Sequence, residues 1–315
     1  MATNEFYHIV IPDDPLRLDQ VIAKNLTELS RTKIQTLIKN GAVKVNGTIT
    51  NECKLKIQSD DIIQMTYTES SDLSWQPYAL DLNILFEDEH ILVLDKPAGL
   101  VMHPGAAKEH NTIANALLDR YSEAVFIPRA GIVHRLDKDT SGVCICAKTN
   151  LAYLKLTKAI KDRKISRKYK AIVHGEIFAP GFVDQNIGRN PRHRTAMAVI
   201  ENGRTALTHY NILEKFENFT WLGLELHTGR THQIRVHMAY IGHPIVGDQL
   251  YNKPIHNYSN ITLETIDSVK KLNRQALHAA EISFRHPITG ETMSFSAKTP
   301  DDIKDVKATF VKKTF

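Results

Sequence analysis

Gly131-Ile132-Val133-His134-Arg135-Leu136-Asp137-Lys138-Asp139-Thr140-Ser141-Gly142 joins two apolar runs through a polar turn. Ile132-Val133 predicts a short strand before the turn, and Val143 to Ala147 predicts a second one after it. The turn presents a carboxylate, Asp137, two residues after a guanidinium, Arg135. A carboxylate held among cations stays ionised at neutral pH and can serve as nucleophile or base. Asp and Ser residues also build such turns for purely structural reasons. In the second run Cys144 and Cys146 alternate with Val143, Ile145 and Ala147, so they share one strand face and read as buried structural thiols. With Cys53 they make three cysteines, which suits a reducing compartment and not a disulfide framework. A single C-x-C without partners is weak as a metal site.

Outward from this turn, apolar runs predict strands at Ile84–Phe86, Ile91–Leu94, Tyr169–Val173, Ala206–Leu213, Trp221–Leu226 and Ile282–Phe284. Helical patterns fall at Ile113–Leu118, Asn150–Asp162 and Gln233–Ile241. Strands and helices do not alternate regularly, which predicts an α+β fold with a mostly antiparallel sheet and not a doubly wound one. Residues 252–270 are polar and irregular and read as a long loop.

Residues 1–75 read as a separate small domain. Leu18, Val21 and Ile22 share a face of a first helix. Ser30 suits the N-cap of a second, Arg31 to Asn40, with an apolar stripe of Ile34, Leu37 and Ile38 and a terminating Gly41. Arg31, Lys33 and Lys39 occupy its other face. Ala42 to Ile49 predicts a hairpin around Asn46-Gly47, and Asp60 to Met65 a closing strand. A linker at about 70–80, spanning Ser70 to Pro77, leads into a second domain over residues 80–315.

The composition, 42 % hydrophobic and 24 % charged over 315 residues, is that of a globular protein of about two domains. No run approaches the ~20 apolar residues of a membrane span. The first residues lack the basic and apolar regions of an export signal. A cytoplasmic location is expected, and no feature calls for a partner subunit, so a monomer is expected too. The net charge of +5 is modest but unevenly spread. From Lys155 to Lys170 eight basic residues accompany one acid, Asp162, and Arg189, Arg192, His193 and Arg194 follow. Such clusters suit a phosphate backbone. Residues 1–75 are not basic, with eight Lys and Arg against ten Asp and Glu, so RNA contact there would fall to the local face of Arg31, Lys33 and Lys39. No P-loop, Rossmann glycine pattern or metal-ligand array is present, and the His232/His237 spacing is not that of a zinc pair; no cofactor or metal is expected.

The element His134-Arg135-Leu136-Asp137 with Thr140-Ser141-Gly142 resembles the signature of the RluA/RluD family of RNA pseudouridine synthases. Asp95-Lys96-Pro97-Ala98-Gly99 through Gly105, Arg167-Lys168-Tyr169 with Val173-His174-Gly175, Thr228 through Met238, and His243 through Asp248 resemble further family motifs, in order. Residues 1–75 resemble the S4 RNA-binding domain. The resemblance implies a mixed central sheet, a catalytic carboxylate at Asp137, an active-site phenol at Tyr169 that stacks on uracil and helps remove the C5 proton, and a salt-bridge partner for Asp137 at Arg235. It places His134, Arg135, Arg192, Arg194 and Arg230 among candidate RNA contacts. Met102-His103-Pro104, Ile127 through Gly131 and Arg274 through Ala279 are closest to the RluD type, which modifies large-subunit ribosomal RNA. An RNA-binding assembly factor without catalysis and a glycosidase of small nucleosides remain as alternative readings.

Overall fold

The computed structural model describes residues 3–9, 17–26, 29, 31–58, 61–68, 75–104, 110–193, 195–251 and 261–312. Ser30, Arg194, Gly105 and most of the expected linker lie outside the described residues.

The N-terminal part comprises β1 (Thr3–Ile9), α1 (Leu18–Asn25), α2 (Arg31–Lys39), β2 (Val43–Val45), β3 (Thr48–Ile49) and β4 (Ile62–Thr68). Its strands form one antiparallel sheet in the order β1-β4-β2-β3. Asn46 and Gly47 both have positive φ (51° and 80°), as a two-residue type I′ hairpin requires. Leu18, Val21 and Ile22 of α1 pack with Ile34 and Ile38 of α2 over Val43, Ile63 and Met65. The two helices are also joined by a buried carboxylate. Asp19 accepts from Arg17 (3.0 Å), Arg31 (2.9 Å) and Gln35 (2.7 Å). Burial works to raise its pKa, but the bonds from Gln35, Arg31 and Arg17 outweigh it and hold the carboxyl below its ordinary value.

The rest of the chain runs β5 (Ile84–Glu87), β6 (Ile91–Lys96), α3 (Ile113–Arg120), β7 (Ser141–Ala147), α4 (Asn150–Lys161), β8 (Ser166–His174), β9 (Gly181–Asp184), β10 (Ile187–Arg189), β11 (Met197–Val199), β12 (Leu207–Phe216), β13 (Phe219–Leu226), α5 (Gln233–Tyr240), α6 (Leu263–Leu272), β14 (Leu277–Arg285), β15 (Thr292–Ser296) and α7 (Asp301–Ala308). A nine-stranded sheet has the order β5-β6-β7-β14-β8-β13-β12-β9, with β15 paired to β14. Only β7 and β14 run parallel; every other pairing is antiparallel. The expected α+β class with a mixed, mostly antiparallel sheet is therefore found. β7 is buried on both faces. Cys144 and Cys146 enter the core that holds Leu136 and Tyr169, while Val143, Ile145 and Ala147 pack under α4.

Two expectations are corrected. Ile132-Val133 is not a strand: Ile132 makes a single bridge to Cys146. The chain arrives there from three successive left-handed residues, Arg129, Ala130 and Gly131, which curl it away from extended geometry. The presumed loop at 252–270 contains most of α6, which Thr262 caps by accepting from the Thr265 N–H. Along that helix Leu263, Ile266, Val269 and Leu272 recur every third residue, and Leu272 and Val269 pack on the core while Leu263 is exposed; residues 252–260 lie outside the described residues. The sequence reading also missed β1, β9, β10, β11, β15 and α7.

Asp19→Ala should destabilise the N-terminal part by about 2 kcal/mol, the low end for a buried ionic group because Arg17 and Arg31 still reach water. Its stabilisation exists above the unfolded carboxylate pKa of about 4 and is lost as pH falls through the lowered folded value. Melting curves from pH 3 to 7 should therefore show a flatter acid limb for the variant.

Candidate active site

Asp137 sits on the turn before β7, and the turn is fastened from several sides. Lys96, 1 % exposed at the end of β6, donates to the carbonyls of Pro97 (2.7 Å), Leu100 (2.8 Å) and Lys138 (2.9 Å). The Gly99 N–H also donates to Lys138 O. Arg274 donates to Asp139 O, and Gln275 to Thr140 Oγ1. Gly142 closes the turn at φ 113°, where a Cβ would lie 2.1 Å from Ala279 O. His134 Nε2 accepts the Ile145 N–H at 3.0 Å. Burial, with Arg167 and Arg129 nearby, pushes the His134 pKa down to about 3, so the ring is neutral and fit to accept. Burial of the Lys96 ammonium lowers its pKa to about 8.

Arg235 reaches Asp137 from α5. Its Nη1 donates to Asp137 Oδ2 at 3.1 Å. Its Nε and Nη2 donate in a fork to Asp248, at 2.7 and 2.9 Å. Burial works against the guanidinium, but Asp248 first and Asp137 second raise its pKa above the ordinary value. Asp248 is fully buried and also accepts the N–H groups of Leu250 and Tyr251. The Tyr251 ring lies under the guanidinium, 5.0 Å from centre to centre, and its hydroxyl contacts His232 Nδ1 at 2.7 Å. His232, left-handed at φ 57°, places Nε2 3.9 Å from Asp137 Oδ1. Burial keeps His232 below its ordinary pKa although Asp137 works the other way.

Asp137, His232 and Arg235 line a cleft of about 480 Å³ together with Tyr169, Arg167, Arg135 and Arg230. Tyr169 is 6 % exposed and its hydroxyl has no hydrogen-bond partner among the described residues. Burial pushes its pKa up to about 12, with Arg167 opposing and Asp137 assisting, so the phenol is protonated at neutral pH. The cleft thus offers a carboxylate with one oxygen held by a guanidinium and the other 3.9 Å from His232 Nε2, with the Tyr169 ring in the same lining. That is the equipment for chemistry at an electrophilic carbon beside a flat heterocycle.

Asp137, Tyr169, Arg235, His134, Arg135 and Arg230 all line this one cleft. Arg192 lies on the exposed turn between β10 and β11, outside its lining. Arg31 is engaged by Asp19, and Lys33 and Lys39 lie on α2 in the N-terminal part. Lys96, Asp248, Tyr251 and His232 were given no role from sequence. For Asp248 the signal was available in kind: a buried Arg needs compensating charge, and one partly buried turn carboxylate is not enough.

Residues 90–240 match the family model for RNA pseudouridylate synthase, and residues 16–63 match the S4 domain. The ribosomal large subunit pseudouridine synthase D of Pasteurella multocida is 44 % identical over 290 residues, 92 % of this chain and 90 % of that protein. The protein of the same name from Nitrosomonas europaea is 44 % identical over 298 residues, 94 % of this chain and 85 % of that one. The solved structure of human RNA pseudouridylate synthase domain containing 1 superposes with a TM-score of 0.57 at 24 % identity, covering 74 % of this chain and 89 % of that one, and so shares the fold. The chain belongs to the RNA pseudouridylate synthase family.

Two outcomes test the site. Lys96→Met leaves three carbonyls without their donor and should cost about 3 kcal/mol in denaturant unfolding, with pseudouridine formation reduced at least as strongly as after loss of a cap on the turn. His134 and His174, whose pKa burial lowers to about 3 and about 4, stay neutral when folded while the unfolded chain takes up protons below about pH 6.5. Stability should therefore fall as pH drops, by up to about 4 kcal/mol at pH 5 for the two together. His134→Gln, whose amide oxygen can accept the Ile145 N–H, should halve that slope in calorimetric melts.

Proposed function

We propose that this protein isomerises uridines of large-subunit ribosomal RNA to pseudouridine, with Asp137 as its catalytic carboxylate. The observation that carries the assignment is the Asp137–Arg235 ion pair, 3.1 Å long, in a cleft walled by Tyr169. The relatives, named as ribosomal large subunit pseudouridine synthases, support this RNA class. The uridine must leave its stack to reach such a cleft. Asp137 then acts on the ribose side of the glycosidic bond. The N1–C1′ bond breaks, the uracil turns while held against the Tyr169 ring, and C5 bonds to C1′. The proton leaving C5 is balanced by the one N1 gains. Tyr169, as a protonated phenol, works through its ring and its O–H, in line with a relay of the C5 proton through the hydroxyl.

Arg135 and Arg230 line the cleft mouth as RNA contacts, with Lys161 and Arg163 from the end of α4 beside them. Arg192 extends the contact from the β10–β11 turn, Arg194 joins it on the sequence reading alone, and Lys33 and Lys39, with Arg31 shared with Asp19, form the basic face of an S4-type domain. The division into an RNA-binding domain at 1–75 and a catalytic domain at 80–315 fits the separate sheets and cores. The protein acts as a monomer in the cytoplasm, where ribosomal RNA is matured, and needs no cofactor, metal or membrane.

Asp137→Asn should lower pseudouridine formation by at least 10³-fold while ribosomal RNA affinity stays within a few-fold of wild type, the pattern of a group acting in the chemical step. Mapping pseudouridine in ribosomal RNA from cells carrying only this variant checks it. Full modification in those cells would refute the assignment.

A further inference from the structure

Three basic groups meet at one lip of the cleft with no carboxylate among them. Arg129 and Arg135 line the cleft and are exposed. Neither forms an ion pair with any of the described residues. Arg129 Nη2 lies 3.0 Å from His103 Nε2. The His103 ring stands edge-on to Trp75 at 6.1 Å, and its Nδ1 is buried with no partner among the described residues. Burial, with Arg129 and Arg135, keeps His103 below its ordinary pKa, so the neutral ring accepts from Arg129.

The backbone under Arg129 is strained. Arg129 (φ 57°, ψ 33°) and Ala130 (φ 52°, ψ 34°) are consecutive non-glycine residues in the left-handed region. Gly131 follows at φ 83°, so close to β7 that a Cβ would lie 1.9 Å from Ala147 O. Ala130 is buried. Strain of this kind persists where the surroundings enforce it, and it marks places where a side chain must be held in position. Here the enforced turn fixes the root of an exposed, unpaired guanidinium, while an acceptor from a distant segment steadies its tip.

We propose that Arg129, Arg135 and His103 form a phosphodiester-binding site that grips the RNA backbone beside the everted uridine. The inference rests on the RNA reading above and deepens it. Turning a nucleotide out of its stack rotates it about the backbone, so a flanking phosphate must be held still. Guanidinium groups suit a phosphate in charge and in planar donor geometry. His103 holds Arg129 ready before RNA arrives.

The test uses in-vitro transcribed large-subunit ribosomal RNA, binding measured at several salt concentrations, and Arg129→Ala, Arg129→Gln and Arg129→Lys in the full chain. Arg129→Gln keeps a donor toward His103 but removes the charge. Affinity should fall about tenfold in Arg129→Ala and Arg129→Gln, and the slope of log affinity against log salt should become shallower by about one. Arg129→Lys should keep the slope. A loss of affinity with an unchanged slope would mean a structural role and would overturn the site. So would variants that bind as the wild type does while the wild type modifies the same RNA. A wild-type protein that forms no pseudouridine on any ribosomal RNA would instead defeat the functional reading itself.

Discussion

One guanidinium shared between two carboxylates holds this site together. Arg235 is buried, and an unpaired buried cation would be costly. Asp248 meets that need with a forked pair at 2.7 and 2.9 Å and is itself satisfied by two backbone N–H groups. Only the remaining donor, at 3.1 Å, goes to Asp137. The arrangement therefore orients the Asp137 carboxylate through one oxygen and leaves the other outside the ion pair. Had Arg235 spent its fork on Asp137, both oxygens would have been occupied. Asp248 is thus the residue that leaves one Asp137 oxygen free of the guanidinium.

This geometry depends on segments far apart in the chain. Asp137 precedes β7, Arg235 rides on α5, Asp248 follows that helix, and Tyr169 lies on β8. The one parallel pairing, β7 with β14, brings the catalytic turn against Arg274, Gln275 and His278. Lys96 ties the same turn to β6 from the other side. The turn is held by backbone-directed bonds from both neighbouring strands, so its position follows from the middle of the sheet and not from a mobile loop.

Much of this was legible in the sequence, and the exceptions have physical causes. Helices α1, α2, α4 and α5 and the Asn46-Gly47 hairpin announce themselves through apolar spacing and turn chemistry, which are local. The strand face shared by Cys144 and Cys146 followed from simple alternation. Ile132-Val133 misled because its conformation is set by the left-handed turn before it, where two of the three residues are not glycine. Helix α6 was overlooked although Leu263, Ile266, Val269 and Leu272 recur every third residue, because it was read together with the polar stretch that precedes it. In the site, Asp137, Arg235 and Tyr169 stood out through motif resemblance; the spacing of 98 residues between Asp137 and Arg235 carries no local signal. The role of Lys96 could not be read, since a lysine whose three donors all meet backbone carbonyls looks like any surface lysine in sequence.

The electrostatics of the cleft follow from burial. His103, His134 and His232 are all pushed below their ordinary pKa. Near neutral pH they are neutral acceptors or spacers, not cations. The fixed positive charges nearest the reacting carboxylate are guanidinium groups, and these do not titrate in the physiological range. Lys96, whose pKa burial lowers to about 8, is the nearby cation that titrates close to that range. An isomerisation that returns to N1 the proton it takes from C5 needs no standing acid or base of intermediate pKa. A cleft with charges set mainly by arginine and histidines kept neutral by burial suits that kind of reaction, and the exposed guanidinium groups of Arg129 and Arg135 in its lining have the charge and donor geometry that suit a polyanion.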